Sequence, residues 1–247
     1  MGGSKNTKLV INGKRVDGRT TDELRDIKIV TGVIPAADGS AFIEWGGNKI
    51  LCGVYGPREC IPRHGASPYK ATLKCRYMMS PFSSLEEHGR SGPSRRSTEL
   101  SKVIREAFEN VIILERFPNA QIEIYLDVLQ ADGGTRTASL TAATVALANA
   151  GIPMRDMVAA VAVGKADDIL VLDLDKGEDN LGQSDMPVAM SMRDKKLLLI
   201  QMDGLLTREE IAEMLDMVEN GCNKINTIQV DALRKHYENN GEDNFTW

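Results

Sequence analysis

Apolar and polar residues alternate through much of the first half of the chain, and the alternation marks strands. Ile27 and Ile29, with Val33 and Ile34 beyond them, predict a first strand; 41–45 and 50–55 predict two more, joined by the turn signal Gly46-Gly47-Asn48. The chain thus opens as an antiparallel meander. After a stretch interrupted by two prolines, 56–64, a fourth strand is expected from Ala71 to Met79, followed by a long loop rich in Ser, Gly and Pro, 81–94. The period then changes. Leu100, Val103, Ile104, Ala107, Phe108, Val111 and Ile112 recur at helical spacing from near Ser94 to the Phe117-Pro118 stop. Alternation returns at Ile122, Ile124, Leu126 and Val128, and from Ser139 an alanine-rich run without Pro or Gly predicts a closely packed helix ended by Gly151 at C′. Residues 158–164, 169–174, 187–192 and 196–202 predict a second set of strands. Thr207-Arg208-Glu209-Glu210 is a capping box opening a helix with Ile211, Met214, Leu215 and Val218 on one face. Helical pattern continues to about Tyr237, with a candidate break at Gly221. An α+β domain over 15–238 is expected, between a flexible N-terminal tail, 1–14, and a C-terminal tail, 239–247.

Composition narrows this picture. Of 247 residues, 42% are hydrophobic and 26% charged, the balance of a globular chain with a sizeable core. No apolar run approaches the roughly 20 residues of a membrane span, and 1–14 holds no apolar signal region, so neither a membrane nor a secretory address is expected. Cys52, Cys60, Cys75 and Cys222 form no C-x-x-C pair, which suits reduced thiols and a cytoplasmic location. A net charge of −5 and a pI near 5.4 argue against a nucleic-acid binder until the distribution is read. Arg58 to Arg105 carries ten Lys or Arg against four Glu, whereas Ala166 to Trp247 carries eighteen Asp or Glu against eight Lys or Arg. One section could track a polyanion while the other stays acidic and solvated.

Candidate chemistry gathers at two places. Between the strand ending near Val128 and the alanine-rich helix lies Asp132-Gly133-Gly134-Thr135-Arg136-Thr137. The glycines can let helix N-terminal N–H groups approach an anion, the threonines add hydroxyl donors, and Arg136 adds a planar fork for two phosphate oxygens. An ordinary capped turn is the other reading, and the P-loop pattern is absent. Arg95 and Arg96 fall in the first turn of the preceding helix, where the macrodipole disfavours cations; residues placed there either want an external anion or are merely exposed at small cost. The second place is the polar break 177–185. Asp179 and Asp185 would lie about 20 Å apart in a straight strand, so only a turn brings them together. A convergent pair could hold Mg²⁺, or keep one carboxyl protonated as a general acid; a solvated acidic loop is the alternative.

Four segments in register resemble the ribonuclease PH family: Arg15-Val16-Asp17-Gly18-Arg19, 94–100 (Ser-Arg-Arg-Ser-Thr-Glu-Leu), 130–137 (Gln-Ala-Asp-Gly-Gly-Thr-Arg-Thr), and Glu178-Asp179 through Ser184-Asp185. The resemblance covers about Arg15 to Tyr237. Within the family, 56–59, Pro62-Arg63-His64 and 76–83 are most similar to catalytic ring subunits of archaeal exosomes, with bacterial transfer-RNA trimming enzymes next. The resemblance implies the ribonuclease PH fold, a duplicated β-β-α-β-α unit like that of ribosomal protein S5. It implies a phosphorolytic 3′-to-5′ exoribonuclease that uses inorganic phosphate and, in the bacterial-type members, forms homohexamers. Carried over, Arg96, Gly134, Thr135 and Arg136, with Thr137 less secure, would bind the attacking phosphate. Arg63 and Arg95 would hold the RNA backbone, and Asp185 with Asp179 would supply the general acid or hold Mg²⁺. Expected partners are single-stranded RNA, a non-catalytic paralogous subunit alternating with this chain in a six-membered ring, and RNA-binding cap proteins. A non-catalytic scaffold subunit is the competing expectation.

Overall fold

The computed structural model describes residues 8–11, 13–83 and 94–242. A short hairpin, β1 (Val10–Ile11) and β2 (Lys14–Arg15), precedes a five-stranded sheet made of β3 (Ile27–Thr31), β4 (Gly39–Trp45), β5 (Asn48–Glu59), β6 (Thr72–Met79) and, after helix α1 (Arg95–Glu109), β7 (Ala120–Gln130). Its order is β3-β4-β5-β7-β6, antiparallel except for the β6–β7 edge. Helix α2 (Thr135–Asn149) leads to a second sheet: β8 (Val158–Ala166), β9 (Ile169–Leu172), the short helix α3 (Lys176–Leu181), β10 (Ser184–Ser191), β11 (Leu197–Ile200) and β12 (Asp203–Gly204). Helix α4 (Arg208–Glu242) closes the chain. Apart from β6 in the first half and β11 and β12 in the second, hairpin, helix, returning strand and closing helix recur, as β4-β5-α1-β7-α2 and β8-β9-α3-β10-α4. The order repeats although the pairing differs: β7 lies beside β5, the second strand of its hairpin, whereas β10 lies beside β8, the first of its own.

Three helices lie between the sheets. Helix α4 packs on β3, β8 and β9; α2 packs on β4, β5 and β8; α1 packs on β6 and reaches β11. Helix α2 is the middle one, so it has no solvent face to make amphipathic. Twelve of its residues are buried, among them Ala138, Ala142, Ala143 and Ala146, whose small side chains let both sheets approach. Its polar members bond inside the layer: Thr144 donates to Leu140 O at 3.0 Å and Val158 O at 2.9 Å. Gln229 of α4 donates to Thr141 O and Val158 O. At its C-terminus Gly151 takes φ 68° while Gly151 N–H bonds Ala148 O and Ile152 N–H bonds Leu147 O, a Schellman ending. One apolar cluster runs from Ile27 and Trp45 in the first sheet through α2 to Val188 and Leu199 in the second.

Several boundaries differ from the pattern of the sequence. Val33 and Ile34 fall beyond β3, and 56–59 belong to β5 despite Pro57. Helix α1 stops at Glu109, with Val111 and Ile112 buried just after it. Helix α2 starts four residues earlier than its alanines suggest, and α4 passes through Gly221 without interruption. β1 falls within the expected N-terminal tail, with Leu9 and Val10 buried against Ala162, Ala166 and Val171. Most of the expected loop 81–94 lies outside the described residues.

A buried carboxylate joins the halves. Asp173, 1% exposed, follows β9 with φ 59°. Its Oδ1 accepts from Arg25 Nη2 at 2.7 Å, and its Oδ2 accepts from Arg25 N at 2.7 Å and from Trp45 Nε1 at 2.8 Å. Arg15 Nη2 and Arg19 Nη1 donate to its carbonyl at 2.8 and 3.1 Å. Burial by itself would raise this carboxyl's pKa; the charge and hydrogen bonds of Arg25, with the indole N–H of Trp45, outweigh it and hold it below the ordinary carboxylate range. Its stabilisation is therefore present above about pH 4 and lost as pH falls through the depressed value. Asp173→Ala leaves Arg25 buried without its counter-charge and should cost about 3–5 kcal/mol, measured by urea unfolding at pH 7; the variant should also lose part of the wild type's acid-induced fall in stability.

Candidate active site

The turn entering α2 is built by its glycines and clamped from both sides. Gly133 and Gly134 have φ 71° and 68°, the left-handed region open to glycine. A Cβ on Gly133 would also sit 2.5 Å from the backbone carbon of Asp175, so this turn rests on the segment that starts α3. Asn48 Nδ2 donates to Gly133 O at 2.6 Å, and Asn48 Oδ1 accepts from Asp132 N at 2.7 Å. Arg25 Nη2 donates to Gly133 O at 3.3 Å from its pairing with Asp173. The glycines thus fix a turn whose carbonyls point back into the fold, leaving the first N–H groups of α2 facing outward, as helix geometry requires.

Side chains on α2 complete a cationic seat. Arg136 is partly buried, and its Nε is enclosed without a hydrogen-bond partner among the described residues. Burial pulls its pKa down, Asp185 and Glu99 oppose that, and the nearby Arg96 adds to it. A guanidinium does not give up its proton near neutrality, so this strain reads as demand for an external anion. Arg96 stands exposed in the first turn of α1, whose N-cap Ser94 shares a capping box with Ser97. Thr135 Oγ1 accepts from Tyr77 Oη at 3.0 Å. Thr137 behaves otherwise: its hydroxyl donates to Gly134 O at 2.8 Å and is 2% exposed, so its proton is used inside the turn.

Asp179 and Asp185 converge, through a helix end rather than the simple turn expected. Asp175 caps α3 and forms a capping box with Glu178. Arg15 holds Glu178 through Nε to Oε1 at 2.6 Å and through Nη2 to Oε2, both groups buried, while its Nη1 donates to Leu172 O. The family-like segment 15–19 thereby anchors the helix that carries Asp179. The chain reverses at Gly182 and Gln183 into β10, where Asp185 lies in register with Gly164 of β8 and with Asp203 of β12. Burial raises the Asp185 pKa to about 7, aided by the charge and hydrogen bond of Asp179 and by Asp203, against the pull of Arg136. Asp185 is thus divided between its protonated and ionised forms near neutral pH, beside the anion seat.

The fold therefore brings Arg96, Gly134, Thr135, Arg136, Asp179 and Asp185 to one place. Arg95 is exposed beside Arg96 on α1. Arg63 is exposed after β5, its Nε bonded to Glu59 Oε1 at 2.7 Å, with no contact to the seat among the described residues. Asp203, Tyr77, Arg25 and Glu178 joined the site without a predicted role. Arg15, Tyr77 and Glu178 stand in the segments that carry the family resemblance; Asp203 reaches Asp185 only by strand pairing across eighteen positions. For a metal, Asp179 and Asp185 offer carboxylate oxygens alone, a donor set that fits a hard cation such as Mg²⁺.

A family model described as "3′ exoribonuclease family, domain 1" matches residues 23–153, and a second, "3′ exoribonuclease family, domain 2", matches 156–221. The chain belongs to the 3′ exoribonuclease, or ribonuclease PH, family. Among its relatives in this family, "Exosome complex component Rrp41" of Thermococcus onnurineus (strain NA1) is 52% identical over 238 residues, 96% of this chain and 95% of the relative. The protein of the same name from Archaeoglobus fulgidus is 50% identical over 242 residues, 97% and 93% of the two. Two solved structures share the ribonuclease PH fold. Rice (Oryza sativa) Rrp46 superposes with a TM-score of 0.80 at 23% identity, over 89% of this chain and 100% of that one. A chain of the "archaeoglobus fulgidus exosome with RNA bound to the active site" gives 0.76 at 24% identity, over 87% and 92%. At those identities they speak for the fold alone.

In metal-free protein, carboxyl carbon NMR should show Asp185 titrating near pH 7. Asp179→Asn should move it toward the ordinary carboxylate range, because the neighbouring negative charge is removed.

Proposed function

We propose that this chain is the catalytic ring subunit of an archaeal RNA exosome, degrading single-stranded RNA processively from the 3′ end to nucleoside diphosphates with inorganic phosphate as co-substrate. The observation that carries the reading is the convergence of Arg136, Arg96 and the α2 N-terminus on the Asp179–Asp185 pair, whose Asp185 carboxyl burial and its acidic neighbours push up to about 7. Identity near 50% to archaeal Rrp41 proteins over almost the whole chain supports it. Such a seat is what a scaffold subunit would have no use for.

Phosphorolysis brings an anion to an anionic diester, so neutralisation and in-line positioning are the main tasks. Arg136, Arg96, the Thr135 hydroxyl and the N–H groups behind Gly134 hold the phosphate and offset its charge. A phosphate oxygen bonds to the terminal phosphorus, the bond to the penultimate 3′ oxygen breaks, and that oxygen takes the Asp185 proton; a nucleoside diphosphate leaves. Mg²⁺, which Asp179 and an ionised Asp185 would hold, would supply positive charge at the leaving oxygen in place of that proton. Arg95 and Arg63 bind the RNA backbone, Arg63 exchanging Glu59 for phosphate. Thr137 acts as a turn-stabilising residue. Residues 15–238 work as one domain, consistent with the apolar cluster that spans both sheets. Alternation with a paralogous subunit in a six-membered ring, capped by RNA-binding proteins, fits the archaeal relatives. A cytoplasmic setting fits four free cysteines and the absence, among the described residues, of a helix long and apolar enough to cross a membrane.

Purified chain, alone and with its paralogue, is incubated with labelled single-stranded RNA and Mg²⁺, with or without phosphate. Nucleoside diphosphates only with phosphate, and 3′ tailing with excess diphosphate, are expected; monophosphates without phosphate would mean hydrolysis and overturn the reading. Asp185→Ala or Arg136→Ala should each lower turnover on the order of a hundred- to a thousand-fold with the fold intact by circular dichroism.

A further inference from the structure

Tyr77 is bonded to both helices of the anion seat, to α1 through its backbone and to α2 through its side chain. It sits on β6, the edge strand of the first sheet, and is 1% exposed. Because an edge strand leaves backbone groups without a strand partner, its N–H is available, and it donates to Ser101 Oγ of α1 at 2.9 Å. Ser101 in turn donates to Ser97 O at 2.6 Å, inside the first turns that carry Arg96. At the other end of the residue, the phenol reaches Thr135 Oγ1, the first residue of α2, at 3.0 Å. One tyrosine therefore touches the helix of Arg96 through its backbone and the helix of Arg136 through its hydroxyl.

The hydroxyl contact has a direction. A threonine hydroxyl has one proton to give and two lone pairs to accept with. Burial pushes the Tyr77 phenol up from its ordinary value, against the Thr135 bond and the charges of Arg96 and Arg136, so it keeps its proton across the working pH range and has one to give to Thr135 Oγ1. With a Thr135 lone pair occupied from inside, the Thr135 proton is left to be donated elsewhere, and an anion before the α2 N-terminus is the partner this seat would offer it. Thr137, two residues on, shows the alternative: its proton goes to Gly134 O. Without the phenol, the Thr135 hydroxyl is free to turn inward, and the seat loses a fixed donor.

We infer that Tyr77 is a positioning residue of the phosphate seat, aiming the Thr135 hydroxyl at the attacking phosphate and registering α1 against α2. This rests on the assignment of Thr135 to phosphate binding, and the two can fail separately. In the full chain, assembled with its paralogue if that is needed for activity, steady-state constants are measured for phosphate and for RNA in Tyr77→Phe, Thr135→Val and the double variant. Tyr77→Phe keeps the ring volume and removes only the hydroxyl. The KM for phosphate should rise about five- to thirty-fold, the size of one or two kcal/mol of lost hydrogen bonding, and the KM for RNA should stay within about two-fold. The double variant should match Thr135→Val, since the phenol acts through that hydroxyl. An unchanged phosphate KM in Tyr77→Phe beside a raised one in Thr135→Val overturns the role of Tyr77 alone. An unchanged phosphate KM in Thr135→Val removes Thr135 from the seat and Tyr77 with it. Equal rises for phosphate and RNA, or full additivity in the double variant, would mark Tyr77 as merely structural. Should Tyr77→Phe fold poorly, Ser101→Ala, which cuts only the tie to α1, must raise the phosphate KM selectively; if it does not, the registering role is refuted.

Discussion

A single buried carboxylate holds the two halves of the site in register. Asp173 belongs to the second half of the chain, yet its oxygens take their hydrogen bonds from Arg25 and Trp45 of the first. Arg25, so fixed, reaches on to the carbonyl of Gly133 and shapes the turn before α2. Two residues after Asp173, Asp175 caps the helix that carries Asp179. Seat and carboxylate pair are thus both referred to one ion pair, whose low exposure makes its geometry expensive to distort. The Arg15–Glu178 pair repeats the device one helix turn further on, again between the first half and the second.

Placement of α2 at the centre of the sandwich decides the electrostatics of the site. A helix buried along most of its length has protein on every side but its half-exposed N-terminus, so the unpaired N–H groups there act where water screens them less than on an open surface. The same enclosure raises Asp185 and depresses Arg136, opposite shifts from one cause. Each group is left with an unmet need, a proton for one and an anion for the other. An acidic protein can therefore bind anions at one place: net charge sets the far field, and local enclosure sets what happens within a few ångströms.

Much of the fold was legible in the sequence. A period-two run found β7, short apolar runs bounded by turns found β4, β5, β8 and β10, and the capping box found the start of α4, because strands and helix ends leave local signatures. The alanine-rich run announced close packing of α2 but placed its start late. Thr135, Arg136 and Thr137, with Ala138, carry the first turn because Gly133 and Gly134 cap it by conformation, a property that composition does not display. A short helix, α3, was hidden in what looked like a polar break, since six residues are too few to show a period.

The motifs by themselves pointed to the family, proposed Arg96, Thr135 and Arg136 for an anion, and offered Asp179 and Asp185 as a pair, because those residues lie close along the chain or in segments that keep their order. Only the tertiary structure decided which carboxyl holds a proton, that Asp203 stands beside it, that Thr137 uses its hydroxyl internally, and that Tyr77 joins two helices. Protonation states, hydroxyl directions and cross-strand neighbours depend on what surrounds a group in space, and burial brings together residues that the linear chain keeps far apart.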